Sequence, residues 1–167
     1  QHYQDPDNKL RPVVIDFDNL GEYQGYFSVD HVYCCLGTTL KKAGDISAFR
    51  KVDFEYIHVA AQLARAQRAG GFVWISSVGA NAKSKNYYLR VKGELENAIM
   101  RMPQLPNAAA VRPGVLIGER ANDDRPLERM GAGIMQLLKP LLIGRLKKYR
   151  AVYPHQVARE MMRHQTF

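Results

Sequence analysis

At 167 residues the chain is long enough for one domain with its own apolar core, so stabilisation by metal or disulfides is not required. Apolar residues make up 46% and charged residues 24%, a balance that excludes a disordered chain. No run nears the ~18 apolar residues of a membrane span, and the polar start QHYQDPDNKLRP is not a signal peptide, so no membrane partner is expected.

The two cysteines, Cys34 and Cys35, are neighbours, and a disulfide between adjacent residues is strained. No Cys/His cluster stands at ligand spacing, which leaves no metal site to expect. Unpaired thiols suit a reducing compartment, so this reading places the chain in the cytoplasm. The formal net charge is +8 and uneven: residues 1–86 carry ten basic against nine acidic side chains, residues 87–167 fourteen against seven. The densest basic stretch is Lys139, Arg145, Lys147, Lys148 and Arg150. With no helix-turn-helix, zinc-finger or RNP-like pattern beside it, a solvated face or an anion-receiving groove is preferred to nucleic acid.

In chain order, residues 12–18 (PVVIDFD) are β-branched and lie between Pro12 and the Asn19-Leu20-Gly21 turn, which predicts a buried strand. A helical turn around Gly21 and Gly25 follows. HVYCCL (31–36) predicts a second strand, ending at Gly37-Thr38-Thr39. Asp45 or Ser47 caps a predicted helix through Phe49, Val52, Tyr56, Val59, Ala60 and Leu63 that stops near Gly70-Gly71. FVWIS (72–76) is continuously apolar, as a strand covered on both faces should be. After a polar loop (79–86) come a helix over 87–102 and a strand over 108–112, closed by Pro113-Gly114. Beyond these the pattern predicts a charged loop (120–126), a helix (127–142) and a short strand (148–152). A last amphipathic helix spans 154–164, with Val157, Met161 and Met162 on its apolar side.

Strands alternating with helices predict an α/β domain, a doubly wound parallel sheet with helices on both faces. Ligands in such sheets sit outside the carboxyl ends of the strands. That rule selects Asp16-Phe17-Asp18, Cys35-Leu36-Gly37-Thr38, Ser76-Ser77-Val78-Gly79 and Arg112-Pro113-Gly114. Tyr88 and Lys92, four apart on a predicted helix, share one face, and the helix is delivered by the loop that leaves Ser76-Ser77. The three residue types form a proton-transfer set. Tyr would serve as acid and base, Ser would hold a substrate carbonyl, and the Lys cation would favour ionisation of the phenol. Elsewhere plainer roles are preferred: Trp74 and Cys34 as core, His31, His58 and His155 at the surface or at helix ends. Met130, Met135, Met161 and Met162 are read as core or lid packing.

These residues carry a resemblance. The Ser-Ser strand end, the Tyr-x-x-x-Lys helix and the Arg112-Pro113-Gly114 strand end resemble the atypical or extended short-chain dehydrogenase/reductases. More narrowly, CCLGTT (34–39), KKAG (41–44), FRKVDFEY (49–56), ISSVGA (75–80), YLRVKGELE (88–96) and RPGVLIGER (112–120) resemble the family of the Tat-interacting protein TIP30 (CC3) and its bacterial relatives. The resemblance implies a Rossmann-like NAD(P)-binding domain over 1–167, with 119–167 as the divergent substrate and lid region. It implies an oxidoreductase moving hydride between nicotinamide and a small carbonyl or alcohol, or an epimerase/dehydratase of the same class. The alternative it leaves open is a dinucleotide sensor without turnover.

For single residues it implies Ser77, Tyr88 and Lys92 as the catalytic set. Asp16, Phe17, Cys35, Leu36, Gly37, Ser76, Tyr88, Lys92, Pro113, Gly114 and Val115 would line the cofactor, NADP being favoured over NAD. Asp53 falls where many extended members carry Asn. The helices over 47–69 and 86–102 would offer a homodimer face. Family members open with a strand and a Gly-x-x-Gly-x-x-Gly turn that cradles the pyrophosphate. No such pattern occurs here, so the chain is expected to lack the first β-α-β segment of a longer protein.

Overall fold

Val, Tyr, Phe and Trp, residues that fit a pleated and covered surface, fill much of the first two runs that become strands in this computed structural model, while the third is mostly alanine; the structure describes residues 9–114 and 152–164. The strands are β1 (His31–Cys34), β2 (Gly71–Ile75) and β3 (Ala108–Val111), in the order β1-β2-β3. All pairing is parallel, with Cys34 opposite Trp74 and Trp74 opposite Ala110. The three carboxyl ends therefore lie along one edge of the sheet.

Helices cover both faces. After a short α1 (Leu40–Ala43), Asp45 caps α2 (Ile46–Arg50) by accepting from the Ala48 N–H at 2.8 Å. A π-helical segment, Lys51–Tyr56, then joins α2 to α3 (Ile57–Ala66). Asn86 caps α4 (Tyr87–Met100), and α5 (Pro154–Arg163) starts with proline in its first turn. Side chains alternate across β2. Phe72 and Trp74 pack with Ile57, Ala60, Ala61 and Ala64 of α3 and with Leu95 and Ile99 of α4. Val73 faces the other way, onto Val111 and onto Val157 and Met161 of α5. Each large side chain so buried contributes about 2–3 kcal/mol of transfer free energy.

The expected strand over 12–18 is not formed. Residues 9–16 carry no regular structure, Val14 is 97% exposed, and Phe17–Phe27 is a 3-10 segment kinked at Asn19 and Tyr23. Asp16 starts that segment, its carboxylate accepting from the Asp18 N–H at 2.9 Å and from Asn19 Nδ2 at 2.8 Å. A β-branched run makes a strand only where a neighbouring strand offers its backbone, and among the described residues β1 pairs with β2 alone. Met162 is a second correction: it is 55% exposed, while Met161 is buried. The expected loop 120–126, helix 127–142 and basic cluster from Lys139 to Arg150 lie outside the described residues.

Candidate functional site

The parallel register brings three polar segments to the carboxyl edge of the sheet: 35–38 after β1, 76–79 after β2 and 112–114 after β3. The ladder runs on past the strands, through Ser76 N–H to Val111 O (2.8 Å) and Val78 N–H to Pro113 O (3.0 Å). α4 buries Val91, Lys92, Leu95, Glu96 and Ile99, two of them charged. Charges are rarely buried unless paired. Here both are.

Lys92 is 3% exposed and Asp53 1%, with Lys92 Nζ 2.8 Å from Asp53 Oδ1. The ammonium also donates to the carbonyl of Ile75 at 3.3 Å, and the Thr38 N–H donates to Asp53 Oδ2 at 2.7 Å. One ion pair thus ties α4, the π segment and the ends of β1 and β2. Gly37 approaches it through backbone alone: a Cβ there would lie 3.4 Å from Asp53 Oδ1 and 3.7 Å from Lys92 Nζ. A larger side chain would stand over the pair.

Asp53 owes its position to the π segment. Phe49, Asp53 and Ile57 are four residues apart and all fully buried. Four residues overshoot a regular α-turn, so this spacing drifts around an α-helix, and the wider i to i+5 turn holds the three on one side. The signal was present in the sequence as an acidic residue within an apolar i, i+4 row. Its partner, 39 positions further on, was not.

One turn before Lys92, Tyr88 is half-buried with its ring 5.8 Å from that of Phe49, and its hydroxyl makes no hydrogen bond among the described residues. The two serines separate cleanly. Ser77 is half-buried and its hydroxyl donates to the Val78 carbonyl at 3.3 Å, whereas the Ser76 hydroxyl is buried with no partner among the described residues. Glu96 accepts two hydrogen bonds from Arg112, from Nε at 2.8 Å and from a terminal nitrogen, so this pair is also closed. A cavity of about 260 Å³ is lined by Asn81, Lys83, Glu96, Asn97 and Arg112, and neither Tyr88, Lys92 nor Ser77 lines it.

Leu36 packs against the apolar core beside α3, and Pro113 and Gly114 are half-buried at the end of β3. Phe17 is half-buried against Tyr56, ring centroids 5.4 Å apart, beside a cluster in which Tyr56 and Lys51 both engage Asp18. Asp16 is exposed and holds its own turn. Val115 lies outside the described residues. Cys35 is exposed and its thiol reaches Met161 of α5 at 3.9 Å.

Cys34 packs against the α3 side of the core, and burial pushes its thiol up to about 11, partly offset by a hydrogen bond from the Leu36 backbone. Above pH 9 the unfolded chain sheds this proton while the folded chain keeps it. Stability from the protonated thiol is therefore complete below pH 9 and falls as pH rises towards 11, by about 3 kcal/mol at most. Urea titrations at pH 8 and pH 10.5 are expected to show this loss, reduced in a Cys34→Ala chain. Equal losses in both chains would place the alkaline sensitivity elsewhere.

No family model matches the chain. It is 36% identical over 127 residues to "Protein FMP52-1, mitochondrial" of Scheffersomyces stipitis, covering 76% of this chain and 53% of that protein. It is 39% identical over 122 residues to "Protein HTATIP2" of Rattus norvegicus, covering 72% of this chain and 49% of that one. The chain thus spans about half the length of the curated relatives it matches. Among solved structures, an oxidoreductase of the short-chain dehydrogenase/reductase family from Burkholderia thailandensis superposes with a TM-score of 0.59 at 21% identity. That superposition covers 93% of this chain and 65% of the other, and shows a shared fold. The cytoplasmic expectation is overturned by the relatives' names, several of which are mitochondrial. Two unpaired thiols cannot separate one reducing compartment from another.

Proposed function

From its membership of the HTATIP2-related (TIP30-like), atypical short-chain dehydrogenase/reductases, we propose that this chain forms most of a site that holds a nicotinamide dinucleotide across the carboxyl edge of the sheet and reduces or oxidises a small carbonyl or alcohol. The observation that carries the proposal is the buried Lys92–Asp53 pair beneath the bare backbone of Gly37, one turn from Tyr88. The residues fit such a group. Lys92 Nζ lies 2.8 Å from Asp53 Oδ1 and donates to the Ile75 carbonyl, and an ammonium with three donors keeps capacity for a ribose hydroxyl. Gly37, Pro113 and Gly114 would be the strand-end residues that receive the group, and the absent side chain at Gly37 keeps the approach to the pair open.

When bound, the dinucleotide supplies the hydride acceptor or donor. The chain's own residues do the rest. Tyr88 gives or takes the proton at its phenol oxygen, Ser77 holds the substrate oxygen by exchanging its bond to the Val78 carbonyl, and Lys92 fixes the ribose. Residues 119–167 are assigned to the substrate side, and the mitochondrion is the proposed place of action, after the relatives' names. The test is calorimetric titration of the complete gene product with NADP, NAD and their reduced forms. Micromolar binding that a Lys92→Met variant weakens at least tenfold is expected. Binding of none of the four would overturn the proposal, and binding without turnover of any carbonyl would favour the sensor role.

A further inference from the structure

The charges around the site cancel pair by pair. Glu96 is closed by Arg112, Glu94 by Arg50, and Lys92 by Asp53. Of these, only the Lys92–Asp53 pair is buried on both sides, and burial makes its charge state felt over a long range. The ammonium alone would leave a buried positive charge at the place where the proposed ligand sits. A neutral side chain of similar shape at position 53, such as asparagine, could still accept from the Thr38 N–H, so the carboxylate charge itself calls for a reason.

We propose that Asp53 is a positioning residue that also sets which redox form of the dinucleotide the site holds: by cancelling the charge of Lys92 it lets the cationic, oxidised nicotinamide ring enter without repulsion. The inference rests on the dinucleotide reading above. The reduced ring is neutral and indifferent to the pair, so the signature is a change in the ratio of the two affinities rather than in either alone. A lone Lys92 disfavours the oxidised form, and a lone Asp53 favours it. For one unit charge near a cationic ring in a half-buried site the effect is on the order of tenfold.

The experiment measures dissociation constants of NADP and NADPH, and of NAD and NADH, on the complete gene product and three variants. In Asp53→Asn the oxidised-to-reduced ratio of dissociation constants is expected to rise about tenfold. In Lys92→Met it is expected to fall by a similar factor, although both forms bind more weakly. In the Asp53→Asn/Lys92→Met double variant, which buries no net charge, it is expected to return to within about twofold of wild type. Opposite shifts in the two single variants cannot come from a merely structural loss, which weakens both forms together. Should Asp53→Asn fail to fold, the sign of the Lys92→Met shift decides. A ratio unchanged or moved the same way in both single variants would overturn the inference while leaving dinucleotide binding intact. A wild-type protein that binds neither form would overturn the dinucleotide reading itself, and this inference with it.

Discussion

A Gly93→Ala chain is expected to be less stable than its parent by about 3 kcal/mol, although alanine is the better helix former. On helix propensity alone the change in the middle of α4 would gain about 1 kcal/mol. Space decides otherwise. A Cβ at Gly93 would stand 2.3 Å from the backbone nitrogen of Ala82 and 2.3 Å from the carbonyl carbon of Asn81. Both are backbone atoms and cannot swing aside as a side chain would. The loop is also pinned to α4 by Asn81 N–H to Leu89 O at 3.0 Å and braced internally by Lys83 N–H to the Asn81 side chain at 2.8 Å. Relief therefore requires the 80–83 loop to lift from α4, losing the bond to Leu89 as well as the packing of Ala80. Because the same loop joins Ser77 to Tyr88, ligand binding should weaken together with stability. Urea denaturation of the two chains gives the comparison. An alanine variant as stable as the parent would mean that the loop yields without cost and that the close approach is unimportant.

What the sequence made legible is what local chemistry decides. The three runs that became β1, β2 and β3 are apolar and bounded by Gly, Asp or Pro, and they alternate with capped helices, so a parallel sheet follows. Residues 12–18 look no different by composition, yet a strand depends on a partner that no local pattern announces, and Val14 ends in solvent. The helix after Asp45 was visible as an apolar row, while its π segment arose from the need to keep Phe49, Asp53 and Ile57 together in the core. At the site, Tyr88 and Lys92 could be paired because four residues on one helix share a face. The partner of Lys92 could not, because the contact between Asp53 and Lys92 is made by two elements meeting across the end of β2. Ser76 and Ser77 were inseparable by type, and only the pleat distinguishes a buried hydroxyl from a half-buried one.

Tyr88→Phe, made in the complete gene product, is expected to lower kcat by about 10²–10⁴-fold with dinucleotide affinity within a few-fold. The size follows from what a positioned acid or base contributes to a proton transfer, about 3–5 kcal/mol of barrier. The selectivity follows from the structure. The ring of Tyr88 is held by Phe49 at 5.8 Å and is only half-buried, so phenylalanine fills the same space and the fold loses little. The hydroxyl has no hydrogen-bond partner among the described residues, so its removal leaves no buried group stranded. Lys92, which holds the ribose in this proposal, and Asp53 beside it remain tied to Ile75 and Thr38. Lys92→Met must behave differently, weakening binding and turnover together, because it removes the charge and the ribose contact at once. Single-turnover rates under saturating dinucleotide separate the two patterns. A Tyr88→Phe protein that keeps the parent's rate on a good carbonyl substrate would show that the proton travels by another route. In that case the geometry around Lys92 would be that of a binding site rather than of a reductase.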